Sequence, residues 1–141
     1  MTEESFLALM EVASAAVRLE RPEVEVVRAH LAAWSVRPTR AEALFSLARY
    51  FRKRGEYANA YVYACAASTL PVPADTFGVE PSIYAWRALD LRASAAYRIG
   101  HFADALACNE TLLSRSIPAE ERERVVANVG ACRAALERIR R

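Results

Sequence analysis

Gly55-Glu56-Tyr57-Ala58-Asn59-Ala60 and Gly100-His101-Phe102-Ala103-Asp104-Ala105 share one pattern: glycine, a polar residue, an aromatic, two further residues, alanine. Each follows an apolar-periodic segment, residues 43–54 (ALFSLARYFRKR) before the first and 89–99 (LDLRASAAYRI) before the second. A glycine at that point can adopt the left-handed backbone that closes a helix. The aromatic then packs beneath the turn, and the alanine lets a second helix lie close against the first. The pattern therefore predicts helical hairpins, repeated along the chain.

With each glycine at position 15 of a 34-residue unit, one unit opens at Ala41 and another at Trp86. The first puts Leu44, Leu47, Ala48, Phe51, Ala60, Ala64 and Ala67 on packing positions. The second puts Leu89, Ala93, Ala105 and Leu112 there, with Arg92 and Asn109 where small or apolar residues are usual. A step back from Ala41 gives a weaker unit opening at Leu7, in which Ala33 matches Ala67 and Arg21-Pro22 replaces the turn glycine. This register resembles the tetratricopeptide repeat. The resemblance implies an all-α fold, a right-handed solenoid of three helical hairpins plus a C-terminal capping helix, forming one tetratricopeptide-like domain over 1–141. Its hairpins fall at about 3–36, 40–69 and 83–115, with an inserted loop at 71–85 and the cap helix at 119–139. Thr39 with Glu42 reads as a capping box for the third helix, and Pro22 suits a first helical position. Val125, Val129, Cys132, Leu136 and Ile139 form the apolar stripe of the cap, whose other face is Glu and Arg.

The two glycines stand 45 residues apart, about eleven more than the repeat needs. The excess lies in residues 70–86 (LPVPADTFGVEPSIYAW), where Pro71, Pro73 and Pro81 break a continuous helix. Phe77, Tyr84 and Trp86 are too apolar for a free linker, so the loop is expected to fold back onto the hairpins. Ordered long loops serve either as packed connectors or as binding loops. The run RPxRAEALxxLARYxRxxGxYxxAY, a Pro-x-Pro-x-Asp loop, a Glu-Pro…Tyr-x-Trp-Arg…Leu-Asp stretch and a second glycine-aromatic hairpin span about residues 20–135. They resemble the repeat region that follows the catalytic domain in some bacterial and viral family 2 glycosyltransferases. That resemblance implies an accessory part in sugar transfer, as a module that binds a glycosyltransferase or presents its acceptor. The alternative is the detached C-terminal substrate-recognition region of such an enzyme.

In such a solenoid, positions 2, 5, 9, 12 and 13 of each first helix line the inner face. They give a basic stripe with aromatics interleaved: Phe45, Arg49, Arg52 and Lys53, then Arg87, Asp90, Tyr97 and Arg98, with Arg124 and Asn128 from the cap. Its arginines can grip carboxylates or phosphates bidentately. The plainer reading is a solvated face with internal pairs such as Arg87 with Asp90. Glu80, Trp86, Arg87 and Asp90 either line an acceptor groove or fix the loop, Arg87 bridging Glu80 and Asp90. The Lys/Asn clamp that some tetratricopeptide domains use for a C-terminal carboxylate is absent, since Arg49 stands where the clamp has Asn.

The remaining chemistry is sparse. His30 and His101 have no ligand-spaced companions, and Cys65, Cys108 and Cys132 form no CxxC pair, so no metal site is expected. Neither a glycine-rich phosphate loop nor an Asp-x-Asp motif is present, so neither catalytic residues nor a cofactor are expected. The net charge of +2 does not argue for nucleic acid. No 18-residue apolar run predicts membrane insertion. The acidic opening MTEESFLALM lacks a signal peptide's basic start, and the unpaired cysteines suit a reducing compartment; the expected location is cytoplasmic. The expected partner is a protein or peptide.

Overall fold

Three turns of the same kind organise the chain. In each, one residue takes a left-handed backbone: Glu20 (φ 51°), Gly55 (φ 74°) and Gly100 (φ 83°). The next residue's N–H then reaches back five residues to a carbonyl, Arg21 to Ala16 (3.0 Å), Glu56 to Phe51 (3.0 Å) and His101 to Ala96 (2.8 Å). The left-handed residue itself bonds three back, to Val17, Arg52 and Tyr97 respectively. This pair of bonds closes a helix and satisfies its last carbonyls. The computed structural model describes residues 2–141. It shows α1 (Glu3–Arg18), α2 (Glu23–Val36), α3 (Glu42–Lys53), α4 (Tyr57–Ser68), α5 (Ala88–Arg98), α6 (Phe102–Ser114) and α7 (Ala119–Arg140). Each helix packs on its sequence neighbour, so the fold is an all-α, tetratricopeptide-like solenoid of hairpins with α7 as its cap.

Alanine sets the spacing. Ala41, Ala48, Ala64, Ala67 and Ala88 are buried beside Leu44, Phe45 and Leu91 at the junction of α3, α4 and α5. Val26, Leu47, Phe51, Ala60 and Ala95 form a neighbouring cluster, where the Phe51 and Tyr63 rings stack at 5.7 Å. Burying a leucine or phenylalanine of this kind contributes about 1.5–3 kcal/mol. His30 joins α2 to α3, its Nδ1–H donating to Val26 O (2.7 Å) and its Nε2 accepting from the Ser46 hydroxyl (3.1 Å). Arg92 is accommodated because Asp104 receives it at 2.8 and 3.0 Å while also accepting the Tyr61 hydroxyl (2.7 Å). Burial opposes ionisation of Asp104, but the bonds from Arg92 and Tyr61 outweigh it and hold its carboxyl below the usual range.

The inserted stretch folds back around a buried arginine. Arg40 is fully buried. It donates to Glu42 (3.0 Å), Asp75 (3.1 Å), Phe77 O (3.1 Å) and Gly78 O (2.9 Å), and its guanidinium lies 4.6 Å from the centre of the Phe6 ring. Arg37 also grips Asp75, and this pairing, reinforced by Arg40, holds the Asp75 carboxyl below the usual range despite burial. Glu3 accepts the Thr76 and Phe77 N–H groups (2.6 and 2.9 Å), tying the loop to α1. Gly78 has φ 65°, and a Cβ there would lie 2.5 Å from Leu7. After the loop, a π-helical turn, Ile83–Arg87, leads into α5. Helical backbone begins at residue 81, so the hairpin expected from 83 starts two residues earlier and the inserted loop ends at residue 80.

Three local expectations are corrected. Thr39 caps nothing: α3 opens after Ala41 without a side-chain cap. Glu42 is instead buried, accepting from Arg40, the Tyr84 hydroxyl (2.7 Å) and Glu80 N–H (3.1 Å). Pro22 is the N-cap of α2, one position before the helix, and Glu20 is the residue that substitutes for the turn glycine. Ile139 is 66% exposed, because α7 continues past the helix it packs on; the buried positions are Val125, Val129, Cys132 and Ala135.

Candidate inner-face partner site

Three hollows lie in series along the face formed by α1, α3, α5 and α7. The first, about 590 Å³, opens between Ser14 and Val17 of α1 and Ser46, Arg49, Tyr50 and Lys53 of α3. The middle one, about 200 Å³, is bounded by Phe45, Arg49 and Arg52 of α3, Trp86 and Arg87 of the π turn, and Asp90 and Leu91 of α5. The third, about 330 Å³, takes Ser94, Tyr97 and Arg98 from α5 and Arg124 and Asn128 from α7. Arg49 borders the first two hollows. Asp90 of the middle hollow holds Arg124 of the third through two 3.0 Å bonds, an ion pair that stands between the two. All ten inner-face residues named from the sequence thus border this series.

Position on a helix explains which side chains arrive. Phe45, Arg49 and Arg52 fall at i, i+4 and i+7 of α3 and so share one side. The π turn adds a residue to its turn of helix, and Trp86 and Arg87 from it complete the opposite wall. Phe45 is buried, 4% exposed, with the Arg87 guanidinium 4.8 Å and the Arg49 guanidinium 5.8 Å from its ring centre. Such contacts let cations approach an aromatic face favourably. Arg98 lies over Tyr57 at 5.0 Å, and the Tyr97 ring meets Phe102 edge-on at 5.2 Å.

The charges divide unevenly. Arg124 is held by Asp90 and by Glu121 (2.9 Å), and Arg87 approaches Glu80 at 3.6 Å. The expected Arg87–Asp90 pair is replaced: Asp90 turns to α7, and Arg87 turns to Glu80 and Ser82. Among the described residues, no carboxylate lies within ion-pair distance of Arg49, Arg52 or Lys53.

The loop residues separate. Trp86 joins the middle hollow. Glu80 borders a further hollow between the loop and α1. Tyr84 is half-buried, its hydroxyl accepting Ala41 N–H (2.9 Å) and donating to Glu42; burial raises its pKa. Phe77 is 54% exposed and lines none of the three hollows.

Sequence reasoning passed over Arg40 and Asp75, which position the loop, and Asn109, which borders the third hollow. Asn109 is buried, its Nδ2 donating to Ala105 O (2.9 Å) while Oδ1 has no partner. The RPxR and Pro-x-Pro-x-Asp pieces of the motif contain Arg37, Arg40 and Asp75, and their opposite charges were the available signal. Among the described residues no group of His, Cys, Asp and Glu gathers to hold a metal ion, and no helix is long and apolar enough to cross a membrane. No family model matches the chain, and no curated protein matches it in sequence.

Proposed function

We propose that this chain is a non-catalytic interaction module whose inner face holds a polypeptide partner in extended form. The observation that carries this reading is the row of three open hollows. A compact ligand would be served by one enclosed cavity, whereas a chain lying across several helices meets successive shallow sites. The uncompensated Arg49, Arg52 and Lys53 favour an acidic stretch of that partner where it crosses α3. Within this reading the partner belongs to sugar transfer, as a glycosyltransferase catalytic domain or the acceptor it modifies. The support for that finer assignment is the motif resemblance over residues 20–135.

The test is calorimetric titration of the chain with a family 2 glycosyltransferase catalytic domain, and with its polypeptide acceptor, from the same source. Saturable binding is expected with one of them, and Arg49→Glu with Arg52→Glu abolishes it while the circular dichroism spectrum stays unchanged. Normal binding by the folded double variant would show that the inner face is not the site. No binding to either protein would remove the sugar-transfer assignment.

A further inference from the structure

We infer that the middle hollow is a phosphate site, receiving a phosphorylated side chain of the polypeptide partner; this rests on the reading of the inner face as the partner surface. Three guanidiniums, from Arg49, Arg52 and Arg87, border a space of about 200 Å³. Its one acid, Asp90, gives both oxygens to Arg124. Glu80 stands 3.6 Å from Arg87, beyond a normal hydrogen bond, and its side chain is 61% exposed. The hollow therefore carries a surplus of positive charge, with no carboxylate within ion-pair distance of Arg49 or Arg52 among the described residues.

The positions are fixed rather than accidental. Arg49 and Arg87 both lie within 6 Å of the centre of the buried Phe45 ring, which anchors two like charges to one aromatic wall of the hollow. An anion bound between arginines that line one space gains from each of them. A guanidinium presents a planar fork of N–H donors, and a phosphomonoester offers three acceptor oxygens and nearly two negative charges. A carboxylate offers two oxygens and one charge, enough for a single fork. The space is smaller than the ~300–1,000 Å³ of a pocket that takes a whole small molecule, so it suits a group rather than a nucleotide. It is flanked, across Arg49 on one side and the Asp90–Arg124 pair on the other, by hollows over which the adjoining chain can lie.

The experiment follows arginine Nε–Hε NMR signals of the full chain at constant ionic strength. The probes are a pentapeptide of phosphoserine flanked by glycines, the same peptide with glutamate in place of phosphoserine, and inorganic phosphate. Saturable shifts at Arg49, Arg52 and Arg87 are expected with the phosphopeptide. Its affinity is expected to be about tenfold above either other probe, the increment that one more charge-assisted bond supplies. Arg52→Gln, folded by circular dichroism, should lose the response. Equal affinity for the glutamate peptide would make this a carboxylate site, and equal affinity for inorganic phosphate a free-anion site; either overturns the inference. So does a non-saturating response spread over all arginines, or one that survives Arg52→Gln. The partner titration above decides separately whether the inner-face reading itself stands.

Discussion

Glu20 and Gly100 occupy equivalent turns with opposite chemistry. Both have a left-handed backbone, which costs a residue with a Cβ about 1–2 kcal/mol. At Gly100 an added Cβ meets no heavy atom within 4 Å, so the cost of a substitution there is backbone strain alone. Gly100→Val should destabilise the chain by about 1–2 kcal/mol in urea denaturation, and unchanged stability would contradict the turn register. Glu20→Gly runs the other way. Relief of the strain, less glycine's greater unfolded entropy, should raise stability by about 0.5–1 kcal/mol. A loss of stability would mean that the Glu20 side chain contributes something beyond its backbone. The glycine turns were legible because few residues tolerate that conformation. The first turn was not, because glutamate ordinarily signals nothing of the kind.

At the scale of elements, the insertion is held by charge more than by apolar contact. Arg40 and Asp75 are buried partners, with 0% and 7% of their side chains exposed. Removing Asp75 leaves Arg40 with Glu42 as its remaining carboxylate partner and one fork of its guanidinium without an acid in a poor solvent for charge. Asp75→Ala should therefore cost about 2 kcal/mol, less than loss of a sole partner, and make the segment 70–80 susceptible to limited proteolysis. Retained protease resistance would show that the backbone contacts from Arg40 and Glu3 suffice. The fold-back was legible in the loop's aromatics, yet its mechanism was not. Phe77 is exposed, and the tether joins residues 35 positions apart, which local periodicity cannot reveal. The same contact explains the failed capping box. Glu42 had the right spacing from Thr39, but a buried guanidinium is a stronger partner than a helix's free N–H.

For the whole molecule, His30 links stability to pH. Burial lowers its pKa, although its bond to Val26 O works in the opposite direction. In the unfolded chain the imidazole titrates at about pH 6.5. As pH falls through that value, the unfolded state takes up a proton that the fold excludes, so stability declines until the lower folded pKa is passed. Urea midpoints should fall as the pH drops below about 6.5, and His30→Gln should flatten that slope. An unaltered slope in the variant would place the proton uptake elsewhere. Hairpin order and the packing stripe could be derived from sequence because each depends on local turn chemistry and spacing within one helix. The Asp90–Arg124 pair and the solvent exposure of Ile139 depend on where α7 settles, which no single helix specifies.

The Arg40 hub also sets an order on synthesis. The first hairpin leaves the ribosome before the loop that ties it down, yet its tethers run to Asp75, Thr76, Phe77 and Gly78. Until those residues emerge, Arg40 and Glu42 must remain hydrated, and Leu7 lacks the backbone of Gly78 against it. The first hairpin of this solenoid is thus translated before the residues that complete it, so a nascent chain stalled before residue 75 carries an unfinished seam there.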